Sequence, residues 1–485
     1  MTSNIGTIFI AGEWRAASSV FAVRDPATLE EIASCADAGP DQAREAVDAA
    51  SQAFPQWAAA TAGERGSYLC ALAEQIEEAA AEIEELLVRE SGKPRAEAAK
   101  EVEGSAAYLR WNSEEAGRSA GRMISAPLAD HRMWTLRQPV GVVAAVTPWN
   151  YPFNTLCRKV APALAAGCTV VAKPAPETPL SAVRLAQMSA RSGFPPGVFN
   201  VLTTTRAAEV VGVWMEDPRV RKIAFTGSTE VGRMLYQAAA GTMKRLSLEL
   251  GGNAAVLVFA DSDLDAAAGA IVASRYRHAG QTCVCAQRVF VEARVADTLS
   301  NLLARRVARL RVGNGLDPAT DVGPLISRES HARVAAHVDD AVKKGAVLLA
   351  GGRSLSLPEP DRGCFFEPTL LAGVLPSMKI SQEETFGPVL AVSSFDKESE
   401  AIALANATPF GLVAYAFTRD LSRSWRLIEK IEAGSVAINT TAVVAPALAI
   451  GGVKMSGVGR ENGQEGLEEY LETKSAVIRI ESAGV

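Results

Sequence analysis

From residue 141 onward, short unbroken apolar runs alternate with stretches whose apolar residues fall at helical spacing. Gly141-Val-Val-Ala-Ala-Val146 is followed by a helical pattern at 158–166, and Thr169-Val-Val-Ala172 by one at 180–192. The run at 198–202 leads to one at 207–215, and the run at 222–225 to one at 230–240. An apolar run with no polar face reads as a strand buried on both sides. Parallel neighbours need a crossover, usually a helix, so this alternation predicts a doubly wound parallel sheet. It resumes with strands at 254–259, 288–291, 411–417 and 435–439, and helices at 264–278, 297–310 and 331–344. The chain of 485 residues exceeds what one core usually serves. The expected class is α/β: a Rossmann-like unit, then a second α/β unit.

The N-terminal part reads differently. Short strands are expected at 5–15 and 21–25, around a glycine turn. Asp41 is placed as the N-cap of a helix carrying Ala43, Ala46, Val47, Ala50 and Phe54. Leu69, Leu72, Ile76, Ile83 and Leu87 predict one long helix over 64–91, stopped by Gly92 and Pro94. Another, rich in Ala and Glu, covers 95–120. Residues 476–480 read as a lone strand, which needs a sheet to join.

Composition excludes several classes. A net charge of −6 argues against nucleic acid and anionic membrane as partners. No apolar stretch approaches the roughly 20 residues that span a bilayer, and the first residues lack a signal-peptide pattern. The seven cysteines are odd in number and scattered, which is no disulfide framework. The cytoplasm is the expected location. His131, His278, His331 and His337 form no zincin motif, and no second Cys/His pair stands at ligand spacing, so no metal site is expected.

Four segments carry chemistry. Gly280-Gln-Thr-Cys283-Val-Cys285 places a cysteine among small and polar residues at a helix-to-strand junction. As a thiolate it is a nucleophile; as a lone buried cysteine it is structure only. Cys285 could close a strained disulfide with Cys283. Glu249, before Gly251-Gly252-Asn253, ends an apolar strand, where desolvation would make it a better base, or where it merely caps. Thr147-Pro-Trp149-Asn150-Tyr-Pro152 follows a buried strand, and ligands of such folds sit beyond the strands' carboxyl ends. Asn150 offers an amide there for a developing oxyanion. Phe225-Thr-Gly227-Ser228-Thr-Glu-Val-Gly232 is a strand, a glycine turn and a helix start, whose free N–H groups suit a phosphate.

In this order, with Lys173-Pro174 and Glu384-Thr-Phe386-Gly-Pro388, these segments resemble the aldehyde dehydrogenase superfamily over essentially the whole chain. Glu249 followed 34 residues later by Cys283 is the most specific pair. The resemblance implies Cys283 as nucleophile, Glu249 as the base that activates water, and Asn150 with the Cys283 N–H as oxyanion hole. It implies a nicotinamide cofactor, NAD or NADP. Lys173 would hold the adenosine ribose, Gly227 and Ser228 the pyrophosphate and Glu384 the nicotinamide ribose. Thr147, Trp149, Leu250 and Phe386 would line the same cleft. It implies a cofactor domain (1–118 and 140–250) and a catalytic domain (251–440). It further implies an arm (119–139 and 466–485) that adds strands to a neighbouring subunit of a homodimer or homotetramer, and a loop region (441–465) by the active site.

Arg158, Arg277 and the Cys283-Val-Cys285 pair resemble the succinate-semialdehyde dehydrogenase branch, where two arginines grip the substrate carboxylate. A guanidinium fork suits that task, although each arginine could instead sit in an ion pair. Where that branch usually has a serine, this chain has Val444, in an apolar loop over 442–450. An aldehyde with a distal anion is expected, with an uncharged hydrophobic aldehyde as the alternative. In NAD-preferring relatives a Glu often stands three residues after the lysine; here that place is Pro176, followed by Glu177. NADP is thereby admitted, with a slight lean to NAD. Two readings stand outside this class. A cysteine hydrolase would need His278 as partner and leave Lys173, Ser228 and Glu384 unexplained. A non-catalytic cofactor-binding protein of the same fold would not need Cys283, Glu249 and Asn150 together.

Overall fold

A computed structural model describes residues 8–481; residues 5–7 of the expected first strand and residues 482–485 of the expected arm lie outside the described residues. The apolar runs form one eight-stranded sheet. Its order is Glu13–Arg15, Ile8–Ile10, Phe199–Val201, Thr169–Lys173, Val142–Val146, Val220–Thr226, Arg245–Glu249 and Gly457–Val458. The five strands from Phe199–Val201 to Arg245–Glu249 are parallel, and the edges are antiparallel. Side chains alternate across a strand. Val143 and Ala145 therefore enter the core beneath helices Pro152–Ala166 and Leu180–Arg191, while Val142, Ala144 and Val146 enter the core beneath Pro40–Ala59 and Ala207–Glu216. Each fully buried valine contributes on the order of 1.5–3 kcal/mol. Trp57 and Trp214 seal the two cores, and each donates its indole N–H to a backbone oxygen at 3.2 Å.

A second sheet runs Val347–Ala350, Thr369–Ala372, Val389–Phe395, Arg288–Glu292, Ala255–Val258, Val413–Phe417 and Ser435–Ile438, parallel except at its first pair. It has its own cores on both faces. The reading from sequence missed its strands Val347–Ala350, Thr369–Ala372 and Val389–Phe395, and helices Glu398–Asn406 and Leu421–Lys430.

Two expectations change, and the tail strand finds its sheet. The helix over 64–91 is two helices, Ala62–Glu78 and Ala80–Ser91, jointed at Ala79; Gly92 does end the second, in a left-handed conformation. Helix Pro40–Ala59 is capped by Gly39, with Asp41 inside its first turn, where a carboxylate favours the helix dipole. The tail strand Leu471–Arg479 pairs within its own chain, antiparallel to His131–Pro139, which also pairs with Met123–Ile124. Just before it, Gly457–Val458 lies antiparallel beside Arg245–Glu249, with Gly457 opposite Glu249.

Candidate active site

A cavity of about 380 Å³ is lined from both sheets. Strand ends and the segments after them supply Trp149 and Asn150, Gly227 and Ser228, and Glu249 to Gly251; facing segments supply Arg277, Cys283, Glu384 and Phe386. Arg158, Val444 and Glu461 line it too. Thr147, Lys173 and Pro176 do not. Thr147 and Lys173 sit at the same end of the sheet, joined by Thr147 N–H donating to the Lys173 carbonyl at 3.1 Å.

Cys283 follows a strained segment. His278, Ala279 and Gly280 all have positive φ, at 49°, 53° and 71°. Such conformations cost a non-glycine residue about 1–3 kcal/mol each, so the surroundings must hold them. The Glu97 carboxylate accepts the His278 N–H at 2.8 Å, and Gln281 Nε2 donates to the His278 carbonyl at 3.1 Å. Gly280 is obligatory, because a Cβ there would sit 2.2 Å from the Gly387 oxygen. Burial, with Glu384 and Glu249 nearby, pushes the Cys283 thiol up to about 12. Both cysteines are free thiols. Cys285 is buried, and Arg275 Nη1 donates to its sulfur at 2.9 Å.

The Asn150 loop is fixed by an equally buried pair. Lys93 and Glu101, both fully buried, form an ion pair. Lys93 also donates to the Asn150 carbonyl at 2.8 Å, and Glu101 accepts the Phe153 and Asn154 N–H groups at 3.0 and 3.1 Å. Asn150 Nδ2 donates to the Gln281 carbonyl at 2.9 Å, bridging this loop to the cysteine turn. An amide nitrogen has two hydrogens, so one remains for a ligand.

Glu249 is buried. Desolvation and the charge of Glu461 push it up to about 8, against the pull of Arg158, Lys159 and Arg460. Glu461 is held below its ordinary value despite burial, chiefly by Lys159 and Arg158. Arg158 is thus engaged: its Nη2 lies 2.8 Å from Glu461. Arg277 makes no ion pair or hydrogen bond among the described residues, and its Nε is buried without a partner. Val444 is 43% exposed at the cavity rim.

The remaining lining suits a dinucleotide. Ser228 caps helix Thr229–Ala239, accepting the Val231 N–H at 3.3 Å, and its hydroxyl hydrogen and the first-turn N–H groups remain for a phosphate. Glu384 accepts the Gly252 N–H at 3.1 Å, and burial pushes its carboxyl up to about 7. A Cβ on Gly251 would meet the Glu384 carboxylate at 2.7 Å, so a side chain there would displace that carboxylate. Phe386, at φ 50°, meets Trp149 edge-on with ring centroids 5.5 Å apart. Burial lowers the Lys173 ammonium to about 8.

The reading from sequence missed Lys93, Glu97, Glu101 and Glu461. The nearest available signal was Glu97 and Glu101, four residues apart on one helix face.

The Aldehyde dehydrogenase family matches residues 14–476. The chain is 44% identical to a glutarate-semialdehyde dehydrogenase of Pseudomonas putida over 474 residues, 97% of both chains. It is 44% identical to the succinate-semialdehyde dehydrogenase (NADP(+)) GabD of Escherichia coli K12 over 473 residues, again 97% of both. The solved structure of a betaine aldehyde dehydrogenase from Staphylococcus aureus in complex with NAD+ superposes with a TM-score of 0.95 at 34% identity, covering 99% of this chain and 95% of that one. A cysteine, a carboxylate and an amide thus share one cavity, in a chain matched from end to end by oxidising enzymes, and this protein belongs to the aldehyde dehydrogenase family.

Proposed function

We propose that the protein oxidises an aldehyde bearing a distal anion, of the succinic or glutaric semialdehyde type, to the corresponding acid. The observation that carries this is Arg277, a cation lining the Cys283 cavity that makes no ion pair or hydrogen bond among the described residues, its nearest acid Glu97 being engaged by the His278 N–H. A half-buried guanidinium with unpaired N–H donors is suited to a carboxylate, and a substrate's distal anion would supply one. The names of the two semialdehyde relatives support the same reading.

In this mechanism the Cys283 thiol, protonated at neutral pH in the free protein, gives its proton to solvent water as its sulfur bonds to the aldehyde carbon and the carbonyl π pair moves onto oxygen. The alkoxide of the thiohemiacetal is received by the free Asn150 amide hydrogen and the Cys283 N–H. A nicotinamide dinucleotide, when bound, supplies the two-electron acceptor for this alkoxide's collapse. The Thr229-helix N-terminus and Ser228 would hold its phosphates, Glu384 its ribose, and Lys173 the far ribose. Pro176 would stand beside that far ribose, with Thr147, Trp149, Gly227, Leu250 and Phe386 shaping the cleft. Glu249 then takes a proton from water, which hydrolyses the Cys283 thioester. The relatives do not favour NAD over NADP: the Escherichia coli relative is named for NADP(+), and the Staphylococcus aureus structure holds NAD+.

The same reading assigns 1–118 and 140–250 to cofactor binding, 251–440 to catalysis, and 119–139 with 466–485 to an arm that docks on a second copy. In support, Met123, Ile124, Leu136, Val477 and Ile478 of the small sheet are exposed. Cytoplasmic residence belongs to the same proposal; no described helix is long and apolar enough to cross a membrane.

The test is formation of NADH and NADPH with succinic semialdehyde, glutaric semialdehyde and hexanal, with Cys283→Ala as control. Turnover that prefers the semialdehydes and is lost in the variant supports the proposal. A preference for hexanal would transfer selection to Val444 and its apolar loop. Binding of cofactor with no turnover of any aldehyde would favour a binding protein.

A further inference from the structure

Glu384 and Phe386 line the cavity, while the side chain of Thr385 between them reaches helix Arg328–Lys343 instead. There it meets His337, which is buried and does not line the cavity. His337 Nδ1 lies 3.1 Å from the Thr385 hydroxyl, and its Nε2 lies 3.2 Å from the Glu383 carboxylate. Burial holds His337 below its ordinary value, with Arg333 and Lys379 acting in the same direction and Glu383 against them. The ring is therefore neutral at neutral pH and carries one hydrogen. A carboxylate only accepts, so that hydrogen sits on Nε2, and Nδ1 accepts from the Thr385 hydroxyl.

This loop needs to be held. Phe386 stands at φ 50°, a conformation that persists only where the surroundings impose it. A Cβ on Gly387 would sit 2.2 Å from the side chain of buried Val334, so the loop lies directly against the helix. Arg333 Nε donates to the Thr385 carbonyl at 3.4 Å, and Arg275 donates to the Gly387 carbonyl. Arg333 also lines the cavity, and Arg275 also holds the Cys285 sulfur, so each serves more than the loop. The side-chain hydrogen bonds of His337 go to this loop alone among the described residues.

We propose that His337 is a positioning residue for the cofactor: through Thr385 and Glu383 it fixes the loop that presents Glu384 and Phe386, and so sets the affinity for the nicotinamide half of the dinucleotide. This rests on the reading above of Glu384 as the ligand of the nicotinamide ribose. Without the ring, the buried Thr385 hydroxyl loses its acceptor and the exposed Glu383 carboxylate its donor. The strained turn at Phe386 is then free to relax, and Glu384 is presented correctly for only part of the time. Affinity falls in proportion to that fraction. Lys173 and Ser228, to which the other half of the dinucleotide is assigned, belong to the first sheet and to the cap of the helix that follows it, and keep their places.

The experiment titrates the full-length protein with NADH, NADPH and ADP, and follows amide hydrogen exchange at 384–387 with no cofactor present. The variants are His337→Ala, His337→Asn, Thr385→Val, the double variant His337→Ala with Thr385→Val, and Glu384→Ala. His337→Ala weakens binding of the preferred reduced dinucleotide about tenfold, the size of one lost hydrogen bond to a charged group, and leaves ADP within about twofold. The same variant speeds exchange at 384–387 by about tenfold or more, because the loop opens more often. His337→Asn returns an acceptor to Thr385 and recovers most of the affinity. Thr385→Val weakens the dinucleotide in the same direction, and the double variant is weaker than His337→Ala by less than about twofold, as expected of two partners in one contact. If His337→Ala fails to fold, His337→Asn and Thr385→Val decide. Equal weakening of dinucleotide and ADP overturns the proposal, as does unchanged affinity or unchanged exchange in His337→Ala. A Glu384→Ala variant that binds the dinucleotide as the wild type does overturns the underlying reading of Glu384 instead. Weakening by Glu384→Ala but by neither His337→Ala nor Thr385→Val overturns the role of His337 alone.

Discussion

Glu249 works as a base only when unprotonated, and its carboxyl is raised to about 8. Turnover is therefore expected to rise with pH through that region, and Glu249→Gln to remove the dependence while lowering kcat by about 10²–10⁴-fold. A flat wild-type profile from pH 6 to 9 would refute this. Asn150→Ala should lower kcat by about 10²–10³-fold, the cost of one oxyanion donor, while cofactor affinity stays within about twofold. Cys283 and Glu249 were legible because each sits in a short, unusual motif at a junction between elements. Glu97, Glu101 and Glu461 were not. In sequence they look like solvated acids on ordinary surface helices and loops, and only tertiary burial shows what they hold. Arg158 was legible as a cation near the site, but its partner lies 303 residues away in the chain.

Helix Arg95–Glu115 serves two catalytic segments at once: Glu97 holds the cysteine turn, and Glu101 the Asn150 loop. Removing one member of a buried ion pair strands the other. Glu101→Ala should cost about 3–5 kcal/mol of stability, read as a lowered urea midpoint. Glu97→Ala should act locally, slowing alkylation of Cys283 by iodoacetamide several-fold with little change in midpoint; Glu97→Gln keeps the acceptor and should restore the rate. At this scale the first sheet was readable because its strands are unbroken apolar runs. Strand Val389–Phe395, central in the second sheet, was not: its apolar start, Val389 to Val392, runs into Ser393 and Ser394. The joint at Ala79 carries no glycine or proline, and packing of both helices on Arg95–Glu115 decides it.

Across the whole molecule, two separately cored sheets meet at one cavity, and the chain returns near its end to complete it. The parallel architecture was legible from alternation alone. The partner of the tail strand was not, because antiparallel pairing between 131–139 and 471–479 leaves no local signal. Ending the chain after Tyr470 removes that strand and bares the neighbouring His131–Pro139 edge. If this arm docks on a second copy as proposed, sedimentation should then show a smaller species than for the full chain; an unchanged sedimentation coefficient would overturn the arm's docking role.

The burial of Cys283, with Glu384 and Glu249 beside it, has a further consequence. A thiol kept protonated to about pH 12 is a poor target for peroxide and for generic electrophiles, both of which react with the thiolate. The idle enzyme should thus endure oxidative stress better than a cysteine enzyme with a standing thiolate. Durable covalent inhibitors will have to resemble the substrate closely enough to trigger proton loss themselves.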